Sequence, residues 1–373
     1  IIDKVNQAQI YQFSIVDTFG SMRKKDLERI VCIADNNLNP NIRLGLHLHE
    51  NMSLGCLLAQ QLINMNLKRA ITIDGSLMGM GRTPGNLPLE LIADYMNEQL
   101  DKSYDIDHMM DAIQDYVAPY HGECRWGYAP AYFLSARHNL HRNYAEFYLD
   151  KGTLTNRDID AILARIERRH ASVFDKEYAD KMYEEYMSNR TDDTGACMRL
   201  KSVLEQKDIL VIAPGTSIRK EKSKIDDFID KNTPIIIAVN FNAEDFEPDY
   251  IFCSNPKRYE QTITKNNNNL IITSNIHDAQ AQYIIDYNHA VGNYMHGQNS
   301  LIVLLRLLKE LDVRSVYLAG ADGYAIGQKN YYNSNLRNYS EHGDEFNHEI
   351  AGGISRLNMN IKFLTASAYD ERK

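Results

Sequence analysis

Three short apolar runs near the start of the chain restrict its fold more than any other feature. Phe13-Ser-Ile-Val-Asp17 stops at Thr18-Phe-Gly20, Ile42–His49 follows, and Ala70–Asp74 is the third. A helical pattern separates each from the next. It covers Lys24–Asp35 in the first gap, and in the second Leu54, Leu57, Leu58, Leu62 and Met65 form one stripe. Pro88 then opens a helix where its missing N–H is not needed, with Leu89, Ile92, Met96 and Leu100 on its inner face. Strand and helix alternating over short connections predict a parallel α/β fold.

The ends of these strands carry chemistry. In His47-Leu48-His49 the spacing is two, so both imidazoles project from one face of a strand. With Gly45 offering no side chain to crowd them, they suit two legs of a divalent-metal site; the other reading is a pair of core histidines bonded to neighbours. The third run leads into Ser76-Leu-Met-Gly79-Met-Gly81-Arg-Thr-Pro-Gly85-Asn86, a loop whose backbone can approach a ligand closely. Asp17 reads either as a cap on the Thr18–Gly20 turn or as a site-lining carboxylate. Asn51 reads as a loop residue, a helix cap or part of the site.

A length of 373 residues suggests about two domains. The formal charge of -9 gives no electrostatic reason to expect nucleic acid or an anionic membrane as partner. No apolar run approaches the roughly 18–20 residues that span a bilayer, and no signal-peptide pattern opens the chain. Cys32, Cys56, Cys124, Cys197 and Cys253 are scattered and never in Cys-x-x-Cys. That usage predicts a reducing cytoplasm, with neither a disulfide frame nor a thiolate zinc site.

The expected organisation is a barrel-type segment over 1–104, a helical extension over 105–187, a polar linker over 188–204 and a second α/β domain over 205–373. The extension contains the aromatic run Tyr120–Phe133, and its charge-dense helices from Asn156 to Met187 read as solvated. In the second domain, strands are expected at Asp208–Ala213, Pro234–Val239, Tyr250–Cys253, Leu270–Thr273, Ser315–Ala319 and Ile361–Leu364, with a helix at Ser300–Leu311. Its first strand runs into Pro214-Gly215-Thr216-Ser217, a turn able to hold a phosphate. One glycine does not meet the dinucleotide fingerprint. His342 and His348, among Asp344, Glu345 and Glu349, read as a solvated polar loop.

With these motifs in place, residues 1 to about 150 resemble the C-terminal part of a 4-hydroxy-2-oxovalerate aldolase. That enzyme belongs with the metal-dependent TIM-barrel lyases and condensing enzymes that include 3-hydroxy-3-methylglutaryl-CoA lyase and isopropylmalate synthase. Asp17-Thr-Phe-Gly20 matches the end of the family's sixth strand, His47-Leu-His-Glu-Asn51 the seventh, and Gly79-Met-Gly81…Gly85-Asn86 the loop after the eighth. The resemblance implies an incomplete TIM barrel, strands six to eight, followed by a Rossmann-like domain. The metal-binding Asp and catalytic Arg of the family's first strand occur nowhere here. A TIM barrel takes roughly 200 residues or more, and the chain opens on Ile1, so either a fragment of a longer protein or a degenerated barrel is expected.

The resemblance further implies aldol cleavage of a 4-hydroxy-2-oxoacid to pyruvate and an aldehyde. His47 and His49 would hold a divalent ion (manganese, magnesium, cobalt or zinc). Asp17, Asn51, Gly79, Gly81, Gly85 and Asn86 would line the site, and Tyr128, after Gly127, would be a catalytic tyrosine, although Trp126 and Pro130 depart from the family pattern. Alone, the fragment is expected to be inactive. A same-family alternative is Claisen condensation with an acyl-CoA. The C-terminal domain loosely resembles bacterial sialyltransferase-like and flagellin-glycosylation-associated domains. This implies a nucleotide or nucleotide sugar bound by Gly215, Ser217 and Asp322, with the barrel segment as scaffold in that alternative. The expected partners are thus a 2-oxoacid, a nucleotide-type ligand and a further copy of the chain in a homo-oligomer.

Overall fold

The computed structural model describes residues 1–123, 126–262, 269–292, 299–325, 331 and 343–370. The chain divides into two compact units, Ile1–Asp150 with Asn156–Ala179, and Lys151–Thr155 with Asp180–Lys373. Among the described residues, no helix is long and apolar enough to cross a membrane.

In the first unit, β1 (Gln12–Val16), β2 (Arg43–His47) and β3 (Ile71–Asp74) form a parallel sheet in the order β1-β2-β3. The register pairs Val16 with His47 and His47 with Asp74, so these residues lie side by side at the carboxyl edge. Alternation turns Phe13, Ile15, Leu44, Leu46, Ile71 and Ile73 to one face, where Leu27 and Val31 of the helix Lys24–Asn37 and Leu58 and Leu62 of the helix Gly55–Asn64 cover them. Leu57, expected on that stripe, is exposed, because it faces around the helix from Leu58. The opposite face carries Gln12, Ser14, Gly45, His47, Thr72 and Asp74. A β-carbon at Gly45 would sit 2.2 Å from Ser14 Oγ and 2.6 Å from Gln12 Nε2, so a larger residue would require those two side chains to move. Among the described residues the sheet closes into no barrel, and β1 and β3 are its edges.

Arg69, before β3, secures the end of the first crossover. Its guanidinium donates to the carbonyls of Asp35 (2.7 Å) and Leu38 (3.2 Å), which the terminating helix leaves without partners, and to that of Ile42 (2.9 Å), just before β2. The helical extension has its own aromatic core. Tyr144 and Tyr148 are fully buried, and their hydroxyls donate to the carbonyls of His170 and Ala179. The stretch expected to be solvated is therefore only half so. Ile159, Ile162, Leu163 and Ala179 face inward, because charge-dense helices still keep one apolar stripe.

The second unit is built on a seven-stranded sheet of β4 (Asp208–Ile212), β5 (Ile235–Val239), β6 (Tyr250–Cys253), β7 (Leu270–Thr273), β8 (Tyr283–Ile285), β9 (Ser315–Ala319) and β10 (Ile361–Phe363). The order is β10-β9-β4-β5-β6-β7-β8 and every pair is parallel. Both faces are covered. Ile209, Val211, Ile237 and Val239 enter one core with the helix Ser300–Glu310, while Leu210, Ile212, Ile236 and Ala238 enter another with Ile218, Ile225 and Phe246. Parallel sheets need this double cover, and near-continuous apolar strands such as Ile-Leu-Val-Ile supply it. Thr194–Leu204, within the segment expected to be linker, is a helix with Ala196, Leu200 and Leu204 buried. Strand β8 is not among the strands expected from the sequence. Gly343–Arg356, part of which read as a loop, is a helix with His348 exposed on it; His342 lies outside the described residues.

Gly320, just beyond β9, has φ +72°, and a β-carbon there would lie 2.0 Å from the carbonyl oxygen of Ala213. We expect Gly320→Ala to destabilise the protein by roughly 2–4 kcal/mol from left-handed strain plus overpacking. A urea melt checks it, and an unchanged midpoint contradicts the packing described.

Candidate functional sites

Parallel register brings the first site together at the carboxyl ends of β1, β2 and β3. The rings of His47 and His49 meet edge to face with centroids 5.0 Å apart. His49 Nδ1 donates to the backbone carbonyl of Asp17 at 2.8 Å. A carbonyl only accepts, so this bond puts the proton on Nδ1 and leaves Nε2 with its lone pair free, the arrangement metal-ligating histidines use. His47 Nδ1 lies 3.5 Å from Asp74 Oδ2. Asp74 is a site residue that the sequence reading missed; its signal was the register, which sets it beside His47.

Asp17 acts through both its backbone and its side chain. Its carboxylate turns back to accept the amides of Ser21 and Met22, both at 3.0 Å, and so caps the following turn. Burial pushes the carboxyl above its ordinary range, against the opposing pull of the Met22 and Ser21 amides. Asn51 is buried, and its Oδ1 has no hydrogen-bond partner among the described residues. It also presses on Gly20 (φ +56°), where a β-carbon would lie 2.3 Å from that oxygen.

The glycine loop after β3 joins the same edge. Asn86 bridges His49 in antiparallel fashion, and Glu50 N–H donates to the Gly85 carbonyl at 3.1 Å. Several of the loop's amides are already engaged: Gly79 donates to Ser76, Met80 to Leu77, Gly85 to Arg82 and Asn86 to Gly79. Gly81 lets the Asn86 side chain close over it, and Asn86 Nδ2 donates to the Met80 carbonyl at 3.0 Å. Trp126 clamps the loop from outside. Its indole N–H donates to the Met78 carbonyl at 2.8 Å, and Gly127 N–H to Pro84 at 2.7 Å. Tyr128 is exposed, with its ring tilted against Phe133 at 6.4 Å between centroids. No contact between it and the histidines occurs among the described residues.

The second unit has a site of its own. The chain runs from β4 out to β8 and returns to β9 on the other side of β4, so the order reverses between β4 and β9. Ligands of open parallel sheets bind beyond the strand ends at such a point. A cavity of about 230 Å³ lies there, walled by Tyr324, Tyr331 and Tyr369, with Lys257 and Arg258 bringing positive charge. Gly215 and Asp322 both line it. A β-carbon on Gly215 would lie 2.3 Å from the Gly320 carbonyl, so the two strand ends touch through glycine. The Asp322 carboxylate accepts Ser217 N–H at 2.8 Å and the Thr216 hydroxyl at 3.0 Å, and the Ser217 hydroxyl also donates to it. Ser217 itself is buried. The anion at this turn is thus the chain's own.

Residues 1–116 match the HMGL-like family model. A 4-hydroxy-2-oxovalerate aldolase of Marinomonas sp. (strain MWYL1) is 30% identical over 104 residues, 28% of this chain and 30% of that protein. One from Thermomicrobium roseum is 34% identical over 148 residues, 36% of this chain and 39% of its own length. A solved N-terminal domain from Bacteroides vulgatus, described as that of an aldolase, is 26% identical with a TM-score of 0.35, covering 40% of this chain and 46% of that one. The chain therefore spans between 30% and 39% of the length of these curated relatives.

Removing the carboxylate in Asp322→Ala leaves the Ser217 amide and hydroxyl without their acceptor. We expect a loss of about 2 kcal/mol in chemical denaturation. A variant as stable as the parent would show that Asp322 is not the cap described.

Proposed function

We propose that the first unit supplies part of a metal-dependent aldolase-type site acting on a 2-oxoacid. The observation that carries this is the meeting of two imidazoles at one strand end, one of them oriented by a hydrogen bond. His49 is held through Nδ1 by a backbone carbonyl, and His47 lies with Nδ1 toward Asp74. The two imidazoles are ligands of the kind a first-row divalent ion takes, and the Asp74 carboxylate lies beside His47. His47 and His49 would hold the ion, which when bound supplies Lewis-acid stabilisation of negative charge on the 2-oxo group. The Asp17 carbonyl orients His49, and the clamped glycine loop keeps Asn86 beside it. The matched family model and the aldolases that share this segment support the same reading. Tyr128, on the surface, would enter the chemistry only by movement of the segment before the helix Pro130–Arg137.

Manganese titration of the full chain tests this. We expect His47→Ala/His49→Ala to lose the manganese that responds to added pyruvate, and single variants to weaken it at least tenfold. Pyruvate-responsive manganese at full occupancy in the double variant would overturn the assignment.

A second reading rests on the other unit. We propose that its cavity takes a phosphate-bearing nucleotide or nucleotide sugar, with Lys257 and Arg258 toward the phosphate and the tyrosines toward the base or sugar. Its supports are the place at the order reversal and the pairing of cationic with aromatic walls. Calorimetry of the full chain with CMP and with UDP should show saturable heat that Lys257→Ala reduces several-fold. No heat with either nucleotide would sink the reading.

A further inference from the structure

A second cluster of metal-ligand type, built from residues of neither site, lies on the helical cover of the seven-stranded sheet. Asp193 precedes the helix Thr194–Leu204, Cys197 sits in that helix's first turn, and His289 belongs to the short helix Tyr287–Val291. One donor atom from each converges, the three lying within 4.8 Å of one another. Asp193 Oδ2 is 2.8 Å from His289 Nδ1 and also accepts the Asp286 amide at 3.0 Å, which fixes the carboxylate. The far side of the ring is equally defined: His289 Nε2 lies 3.0 Å from Oε2 of Glu310, the last residue of the helix Ser300–Glu310.

We propose that Asp193, Cys197 and His289 form a three-donor site for a borderline-soft divalent cation of the zinc or cobalt kind. The donor set is right for it: sulfur, imidazole nitrogen and carboxylate oxygen are the ligands such ions take, in a shell of four that leaves one position to water. The group behind the ring is right as well. A histidine that ligates through one nitrogen almost always gives its other N–H to a carboxylate, and Glu310 is placed to receive it. Both ring nitrogens of His289 face carboxylates, Nδ1 toward Asp193 and Nε2 toward Glu310, so the ion would take the place of the proton at Nδ1. On binding, the Cys197 S–H and His289 Nδ1–H bonds break as the sulfur and Nδ1 bond the ion, and both protons pass to solvent. The ion would pin the start of one helix to the end of another, a link that the scattered cysteines did not suggest. The sequence signal is an Asp and a Cys four residues apart at a helix start, with the histidine more than ninety residues away.

Cobalt(II) titration of the metal-stripped full chain separates this site from the first, because only this one contains sulfur. We expect a thiolate-to-cobalt charge-transfer band that saturates near one equivalent. It should be lost in Cys197→Ser, and its midpoint should weaken roughly 10–100-fold in Glu310→Gln, which removes only the outer partner. The band should persist in His47→Ala/His49→Ala, so that failure there is distinguishable from failure here. Glu310 is half-exposed at a helix end, so this variant should fold even if Cys197→Ser does not. No charge-transfer band in the parent chain, or a band that survives Cys197→Ser, would show an ion-pair clamp only and overturn the proposal.

Discussion

Parallel strand pairing is the constraint from which the rest of this molecule follows. Each strand of both sheets has its carboxyl end on the same edge as its neighbours, and each return crossover must cover the sheet with a helix. In the first unit that edge gathers Asp17, His47, His49 and Asp74; in the second it gathers Gly215 and Asp322. Register is held by burial. A slip of one residue in β2 would turn Leu44, Leu46 and Leu48 away from their helices, at about 1.5–3 kcal/mol for each leucine. Against that, no contact made by the histidines is large enough to choose the register. The hydrophobic face sets it, and the polar face inherits its geometry.

What the polar face inherits is orientation. A histidine becomes a directed ligand when one nitrogen is committed, and here the commitment comes from a backbone carbonyl rather than from a second acid. The carbonyl belongs to Asp17, whose side chain holds the turn that follows it. The same residue therefore fixes both the loop and the ring. Its buried carboxyl accepts this position because the Ser21 and Met22 amides replace part of the water it gives up.

In the second unit an internal anion occupies the position where a ligand's phosphate was expected. Asp322 accepts the Ser217 amide and the Thr216 hydroxyl and ties the ends of β4 and β9 together. The cavity beside it consequently offers its positive charge from Lys257 and Arg258, on the helix after β6, rather than from the turn after β4. A charged side chain that satisfies a turn leaves the neighbouring cations to select what binds.

The sequence by itself determined the parallel α/β class, most of the strands and the same-face placement of His47 and His49. Each of these follows from local periodicity, apolar runs and a spacing of two. It also marked Gly215 and Asp322 as residues to be joined, since both end strands of one sheet. Tertiary structure alone decided the partners. Asp74 beside His47, the Asp17 carbonyl beneath His49, Trp126 on the glycine loop and Glu310 behind His289 are contacts between residues distant in the chain. Local patterns record which face a residue takes, because that depends on its neighbours along the strand or helix. They do not record what stands opposite, because that depends on how separate elements pack.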